Sequence, residues 1–402
     1  MIAGRPDSHT ILERSCFVSE TWEHPPASDP RALAEALETF CKTRLDVGLV
    51  YPVGDTEINL TARLAVRLPV LVVAASSAIL DVCRCKRLLL GLAAEAGVPT
   101  LDWVAIDQRE AIAPAVGRIG LPAALKPDIT SEGVVGFKAS IIRTEADAQR
   151  IARQTTFPEC GFVLQRLAHG PRHNIYFVAH EGRLLGSSEI RILRTDRLDG
   201  TGLAVEGESV SPDAALLKWT EALVKRLSYT GAGCAQFLVD ESAGTASFLE
   251  INARLGANCA AVCACGLDLP RLFVEALLGT AVQQPPAQVG RRYAWLSGDL
   301  NGLATSLRSG KQTWSGAAAW LGRAALAQLR ADDHITWSWR DPLPTLAIFG
   351  SFFQAGARKL SRSFIPRRER SSMGTFEHDE NDKNIRAGNS TSPNVRPGAE
   401  SP

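Results

Sequence analysis

The sequence predicts a protein of mixed α/β and α+β class, and two features of the chain indicate this. Strands and helices alternate between residues 16 and 80, which is typical of a parallel sheet covered by helices. From residue 121 onwards, apolar strands follow one another through turns that contain glycine, which indicates antiparallel pairs. We therefore expect a small α/β unit followed by a larger region of antiparallel strands and helices.

The α/β unit is expected to span residues 16–80. Regular structure is predicted to begin at Cys16, because the residues before it show no clear period. Asp29 and Pro30 provide a helix cap and a first-turn proline for an amphipathic helix, which an apolar strand follows. A second helix and the strand at 70–74 complete the alternation.

A helix and a lysine-bearing hairpin are predicted next. Residues 76–98 have a helical pattern that contains Lys86 and ends at Gly97. Lys126 then stands at the end of a short apolar strand, and the strand at 137–142 follows a tip that contains glycine. Backbone N–H groups of such a tip, with a lysine beside them, can hold a polyphosphate, although an ordinary hairpin loop also needs glycine. The tip includes Ser131, Gly133, Val134 and Gly136.

A hinge is predicted at residues 161–170. There an apolar strand leads through Gln165 and Leu167 to a chain reversal at Gly170. The backbone of such a hinge can read the edge of an adenine, and the alternative is an ordinary strand and turn. Beyond the hinge we expect strands at 174–179 and 183–194, a flexible segment at 199–207 and a helix at 212–227.

The strand that contains Glu250 carries acidic, amide and guanidinium side chains at alternate positions. Because successive side chains of a strand point to opposite faces, Glu250, Asn252 and Arg254 share one face. A carboxylate beside an amide oxygen suits a hard cation such as Mg²⁺, and an arginine suits a phosphate. Gln236, on the strand at 231–240, would face the same point if the two strands pair as antiparallel neighbours. The alternative is an edge strand with a solvated polar face.

The rest of the chain predicts a helical region over residues 291–360 and a disordered tail over 366–402. Helical stripes in the first of these alternate with tryptophans, which we expect in a core or an interface. The tail is rich in small polar and charged residues and nearly free of large apolar ones. The run Leu343–Gly356 is too short to cross a bilayer.

Composition restricts the class of protein. A chain of 402 residues usually forms two or three domains. With 44 Lys and Arg against 43 Asp and Glu, the overall charge favours neither nucleic acid nor an acidic membrane. The nine cysteines, in a chain that begins without a signal-peptide pattern, predict a cytoplasmic protein. Cys259, Cys263 and Cys265 could be metal ligands, but no second pair stands at a zinc-site spacing, so buried thiols are favoured.

Taken together, the motifs between residues 45 and 280 resemble the ATP-grasp superfamily, and more narrowly the branch of the carbamoyl-phosphate synthase large chain. The resemblance implies that residues 81–282 form an ATP-grasp domain, in which ATP lies between two α+β subdomains. It also implies that residues 16–80 form a pre-ATP-grasp domain that is truncated at its N-terminus, and that residues 291–360 form a helical appendage.

The resemblance implies a set of nucleotide contacts. Lys86 and Lys126 look like the residues that hold the ATP phosphates. The loop at 131–136 looks like the glycine-rich loop that closes over the nucleotide, and Gln165 with Leu167 looks like the hinge that reads adenine.

The resemblance also implies the metal ligands and the catalytic groups. Gln236, Glu250 and Asn252 resemble the ligands of Mg²⁺, for which Mn²⁺ is an alternative. Arg254 resembles the arginine at the transferred phosphoryl group, and the resemblance implies that Arg254 and Lys126 are the catalytic residues.

Two residues depart from the pattern of the superfamily. Arg172 stands where many relatives carry a glutamate that holds the ribose hydroxyls, which puts ribose binding in question. Ala253 replaces the usual proline of the Glu-Ile-Asn-Pro-Arg run.

The implied activity is that of a carboxylate-amine ligase, which forms an amide through an acyl phosphate. The implied partners are a small-molecule carboxylate and an amine, with no nucleic acid and no transmembrane segment, and a homo-oligomer is compatible with them. The alternatives are a carboxylase that acts through carboxyphosphate and a non-catalytic ATP-binding regulatory protein.

Overall fold

A computed structural model gives the fold and describes residues 1–6, 11–129, 139–154, 157–168 and 170–350. The predicted tail at 366–402 and four residues of the predicted hairpin tip, Ser131, Gly133, Val134 and Gly136, lie outside these residues. No helix within the described ranges is long and apolar enough to cross a membrane.

The N-terminal region combines helices with short parallel strands. Its elements are β1 (Ile2–Arg5), β2 (Glu20–Glu23), α1 (Pro30–Thr43), β3 (Leu49–Val50), α2 (Asp55–Leu64) and β4 (Leu71–Val72). The predicted cap is confirmed, because the Asp29 side chain accepts a hydrogen bond from the Ala32 N–H at the start of α1. The predicted parallel pairing is confirmed for β3 and β4. The prediction that regular structure begins at Cys16 is wrong, because β1 precedes that residue and pairs in parallel with β2.

A four-stranded sheet follows, with the strand order β5-β8-β6-β7. The elements of this part are α3 (Ser77–Arg84), α4 (Lys86–Glu95), β5 (Trp103–Ile106), α5 (Ile112–Ile119), β6 (Ala123–Pro127), β7 (Ser140–Ile142), α6 (Glu145–Gln154) and β8 (Phe162–Arg166). The predicted hairpin is confirmed, because β6 and β7 are antiparallel.

The helix predicted over residues 76–98 is in fact two helices. Cys85 has an extended backbone between α3 and α4, and it forms a β-bridge with Ile129. The Lys86 N–H donates to the Asp128 carbonyl oxygen at 2.9 Å, so the first turn of α4 is held against the end of β6. A contact between distant parts of the chain therefore breaks a helix that the local pattern predicts as continuous.

A seven-stranded sheet with the order β13-β12-β9-β10-β11-β14-β15 forms the centre of the fold. Its strands are β9 (Arg172–His180), β10 (Arg183–Thr195), β11 (Ala204–Val210), β12 (Gly231–Asp240), β13 (Thr245–Asn252), β14 (Arg292–Ala294) and β15 (Asp333–His334). The predicted antiparallel pairing of β12 and β13 is confirmed. The segment 199–207, predicted to be flexible, includes the first half of β11, which pairs with both β10 and β14.

Both faces of this sheet are buried. The helices that cover them are α4 together with α7 (Ala214–Arg226), α8 (Cys259–Ala264) and α9 (Leu269–Leu277). On one face, Phe177 and Phe237 pack in a cluster with residues of α4 and α7. On the other face, Tyr176 and Val178 pack with Phe273 of α9. Each fully buried Phe side chain contributes roughly 1.5–3 kcal/mol, so apolar packing on both faces stabilises the sheet that carries the polar residues.

The C-terminal part contains α10 (Leu296–Arg308) and α11 (Trp314–Arg330), and residues 351–360 of the predicted helical region lie outside the described residues. It also contributes β14 and β15 to the central sheet, so it is joined to that sheet by strand pairing. Trp320 is buried, in agreement with the expected core position. Trp314 and Trp339 are 83% and 84% exposed, so neither lies in the core of this chain.

Candidate functional site

A lysine and a glutamine meet on neighbouring strands of the four-stranded sheet. β6 and β8 pair in antiparallel register, with Ala124 opposite Gln165. The Lys126 ammonium donates to the Gln165 side-chain oxygen at 3.0 Å. Gln165 is only 2% exposed, and its side-chain nitrogen has no hydrogen-bond partner among the described residues. A buried donor of this kind is free to bind an acceptor on a ligand.

Three oxygen-bearing side chains lie together at the edge of the seven-stranded sheet. Gln236 of β12 stands directly opposite Glu250 of β13, so both side chains are on the same face. The Asn252 side-chain nitrogen donates to a Glu250 carboxylate oxygen at 3.1 Å. Asn174 of β9 stands opposite Gln236 on its other side, which extends the polar row across three strands.

Charges from α4 and from both sheets influence the ionisation of Glu250. Burial alone would raise the pKa of Glu250, but Lys86, Lys126, the hydrogen bond from Asn252 and the charge of Arg172 hold that pKa below its ordinary value. Glu250 is therefore a carboxylate at neutral pH, the form in which it can bind a divalent cation.

The two lysines show the complementary effect. Burial lowers the pKa of Lys126, the charge of Lys86 lowers it further, and Glu250 opposes both effects. Burial also lowers the pKa of Lys86, against the charges of Glu250 and Asp128. Two ammonium groups that are buried close together repel each other, and a polyphosphate would offset this repulsion, so the site is suited to a highly charged anion.

Arg254 leaves the end of β13 towards the N-terminal region. Its side chain donates to the Asp55 carboxylate at 2.5 Å and to the Leu255 carbonyl oxygen at 3.2 Å. Asp55 is the first residue of α2, and a short loop connects it to β3. Arg254 therefore links the proposed metal ligands to the small α/β region.

A cavity of about 50 Å³ lies at this junction. Its polar lining comes from two parts of the chain: Asp55, Asn59 and Arg84 on one side, and Glu250, Asn252 and Arg254 on the other. The sequence alone assigned no role to Asp55, Asn59 or Arg84. The available signal was the position of Asp55 after the carboxyl end of a parallel strand, where ligands of open α/β sheets bind.

Arg172 faces the proposed metal ligands. It begins β9, donates to the Gly202 carbonyl oxygen at 3.2 Å, and helps to lower the pKa of Glu250. Its Nε atom is buried and has no partner within the described part of the chain. The positive charge of Arg172 thus acts on Glu250. Many relatives carry a glutamate at this position, which holds the ribose hydroxyls.

Comparisons with known proteins identify the fold. A family model of the carbamoyl-phosphate synthase L chain, ATP binding domain, matches residues 213–283. No curated protein matches the chain by sequence. Biotin carboxylase from Campylobacter jejuni, in a β-γ-ATP complex, superposes with a TM-score of 0.58 at 17% identity, over 72% of this chain and 68% of that one.

Two further solved structures have a similar fold. The biotin carboxylase domain of Hydrogenobacter thermophilus 2-oxoglutarate carboxylase, solved with MgADP, ADP and bicarbonate, gives a TM-score of 0.58 at 16% identity over 72% of this chain and 67% of that one. The L-amino acid ligase from Bacillus licheniformis superposes with a TM-score of 0.51 at 16% identity, over 65% of this chain and 63% of that one. The matched family and these structures are all ATP-grasp proteins. This chain has the ATP-grasp fold.

The structure therefore brings together most of the residues that the sequence singled out. Within the ATP-grasp fold, the charges of Lys86, Lys126 and Glu250 are close enough to shift the pKa values of one another, and Gln236 and Asn252 adjoin Glu250 on its own sheet. Their roles in binding ATP and metal remain predictions.

Leu167 is placed beside the hinge, after β8. Its N–H donates to the Pro122 carbonyl oxygen at 3.0 Å, so this group is already occupied in the described chain. A role for Leu167 in reading adenine would use its carbonyl oxygen or require that this bond be exchanged.

The cysteines considered as metal ligands lie elsewhere. Cys265 is buried, and Cys259 and Cys263 are half-buried with their sulfur atoms 3.9 Å apart. Among the described residues, no group of three or more His, Cys, Asp or Glu side chains is arranged to hold a metal ion. The proposed Mg²⁺ site contains one carboxylate and two amides, so it is not a group of this kind.

Proposed function

We propose that this ATP-grasp chain is an ATP- and Mg²⁺-dependent carboxylate-amine ligase. The observation that carries the proposal is the position of Glu250, which faces Lys86 and Lys126 across the cleft and adjoins Asn252 and Gln236 on its own sheet. This arrangement supplies oxygen ligands for a hard cation and ammonium groups for phosphates within one site.

The residues fit the proposed metal. Glu250 is ionised at neutral pH because the cations around it lower its pKa, and the Asn252 and Gln236 side chains offer neutral oxygen atoms. When bound, Mg²⁺ would neutralise charge on the phosphates during transfer. Its ligands would be these three residues, which hard oxygen chemistry favours for Mg²⁺ and also allows for Mn²⁺.

The other residues would position the reacting groups. Lys126 and Lys86 would hold the phosphates of ATP, and the buried Gln165, fixed by its bond to Lys126, would orient that lysine or face the base. Arg254 would stabilise the transferred phosphoryl group. Phosphoryl transfer depends on positioning and on charge neutralisation, so this set needs no covalent nucleophile.

A carboxylase that acts through carboxyphosphate is the second candidate. Two observations favour it: the cavity beside Arg254 is small, and two of the similar structures are biotin carboxylases, one of which was solved with bicarbonate. In either case the chain would act on small molecules, and we propose that it does so in the cytoplasm.

A steady-state assay distinguishes the candidates. We expect ADP release in the presence of Mg²⁺ and ATP to increase when pooled amino acids are added as carboxylate and amine donors. Stimulation by bicarbonate, with no response to amino acids, would instead support the carboxylase. Binding of ATP without turnover under any of these conditions would contradict both enzymes and leave a regulatory ATP-binding protein.

The lowered lysine pKa values predict an alkaline loss of nucleotide affinity. Lys86 and Lys126 lose their protons at a lower pH than ordinary lysines, and only the charged forms attract phosphates. The dissociation constant of MgATP, measured by calorimetry from pH 7.5 to 10, should therefore rise by about tenfold or more across the upper part of this range.

Arginine substitutions provide the matched variants for this experiment. Lys126→Arg keeps its charge over the whole range, so its affinity should depend less on pH. Lys225→Arg, at an exposed position of α7, should behave like the unmodified protein. An identical pH dependence for all three proteins would show that Lys126 does not contact the phosphates.

A further inference from the structure

The cavity at the junction of α2, α3 and β13 contains two guanidinium groups. Arg84 is the last residue of α3, and Arg254 follows β13; both line the same space of about 50 Å³. Glu250, the proposed metal ligand, lines it as well. Two arginines directed at a small space next to a phosphoryl-transfer site point to an anionic ligand there.

Arg84 is held in place but not satisfied. One of its terminal nitrogens donates to the Asn59 side-chain oxygen at 3.0 Å, and the Asn59 side-chain nitrogen donates to the Asp55 carbonyl oxygen at 2.5 Å. The Arg84 Nε atom is buried and has no hydrogen-bond partner among the residues that the structure describes. An unpaired buried donor of a charged group is unfavourable, and a ligand acceptor would remove this cost.

A carboxylate already binds the second guanidinium in the same cavity. Asp55 accepts from Arg254 Nε at 2.5 Å, and the two side chains are 24% and 34% exposed. The remaining lining includes the apolar residues Ile58 and Leu80. The space therefore offers arginine donors for a carboxylate and a short apolar wall for the carbon that carries it.

We propose that Arg84, fixed by Asn59, binds the carboxylate group of the substrate. This inference rests on the proposed function, and it assigns the substrate end of that reaction to the junction of α2, α3 and β13. One water needs about 10–15 Å³ of such space, so a cavity of about 50 Å³ holds a carboxylate group or a small acid such as bicarbonate, formate or acetate. The rest of a larger acid would extend out of it.

This location agrees with the chemistry of transfer. One carboxylate oxygen attacks the γ-phosphorus of ATP, the bond from that phosphorus to the bridging oxygen breaks, and the electron pair leaves with ADP. The charge is conserved, and no proton has to move. The acceptor oxygen must therefore lie beside the transferred group, which is the place that Arg254 shares with Arg84.

Thermal unfolding with a simple carboxylate tests the site. Sodium acetate, compared with sodium chloride at equal ionic strength and in the presence of MgADP, should raise the Tm of the unmodified protein. Arg84→Gln should weaken acetate binding, obtained from the concentration dependence of Tm, by at least about tenfold. Arg63→Gln is the matched control, because Arg63 lies on α2 in an exposed ion pair with Asp81 and does not line the cavity.

A second measurement needs no variant. Phenylglyoxal modifies exposed or ligand-accessible arginines, and acetate should protect Arg84 from it in the unmodified protein, as read by peptide mass spectrometry. The inference is overturned if acetate stabilises no more than chloride, if Arg84→Gln retains the full effect, or if acetate leaves the modification of Arg84 unchanged.

MgATP binding, measured on the same samples, separates this inference from the proposed function. Protein that binds MgATP but not acetate would contradict the Arg84 site and leave the nucleotide site standing. Protein in which acetate binds at Arg84 but MgATP does not bind would support the carboxylate site and contradict the proposed ATP-dependent reaction.

Discussion

Replacing Glu250 with glutamine is expected to reduce ATP turnover by about a thousandfold while the protein remains folded. The substitution keeps the shape of the side chain and its hydrogen-bonding capacity towards Asn252 but removes the negative charge. That charge is the single carboxylate of the proposed Mg²⁺ site. Activity is measured as ADP release at saturating ATP, and folding by circular dichroism and by the midpoint of thermal unfolding.

A second effect of the same substitution is electrostatic. Glu250 opposes the burial that lowers the pKa of Lys126 and of Lys86. Without its charge both pKa values fall further, so the alkaline loss of MgATP affinity should begin at a lower pH in Glu250→Gln than in the unmodified protein. This shift would not follow if Glu250 only stabilised the fold.

Glu241→Gln is the matched control for Glu250. Glu241 is exposed in the turn between the same two strands, so its substitution tests the removal of a carboxylate from this hairpin without touching the cleft. We expect turnover within about twofold of the unmodified value for this variant. Full activity in folded Glu250→Gln would show that Glu250 is not a metal ligand and would remove the basis of the proposed function.

The candidate site could be predicted from sequence where local geometry determines it. Alternation along β13 places Glu250 and Asn252 on one face, and the short turn to β12 sets Gln236 opposite Glu250. The period of a strand and the length of a hairpin are properties of neighbouring residues, so a single sequence contains them. The resemblance then adds the expectation that both lysines reach this point.

The cavity could not be predicted in the same way. The contact between Asp55 and Arg254 joins residues 199 positions apart, and Arg84 lines the cavity from the end of a separate helix, α3. No local period encodes either contact. The strands β14 and β15 were missed for a similar reason, since three and two residues are too few to show alternation and their pairing is tertiary.

Replacing Asp299 with asparagine is expected to lower the free energy of unfolding by roughly 3 kcal/mol. Asp299 is fully buried in α10 and accepts two hydrogen bonds from Arg194 of β10, at 3.0 and 2.8 Å, and one from the Trp320 indole of α11 at 3.0 Å. It therefore joins the central sheet to both C-terminal helices. Asparagine would leave the Arg194 guanidinium without one of its two acidic partners, the other being Glu206.

Asp81→Asn provides the comparison, because Asp81 forms an ion pair with Arg63 that is about half exposed on both sides. Pairs of that kind contribute about 0–1 kcal/mol, since water screens them and competes for their hydrogen bonds. Urea unfolding of the two variants should thus separate a buried from an exposed aspartate–arginine pair. Equal destabilisation by the two substitutions would mean that the Arg194–Asp299 pair contributes no more to stability than an exposed pair. Strand pairing and apolar packing would then hold the C-terminal helices on the sheet.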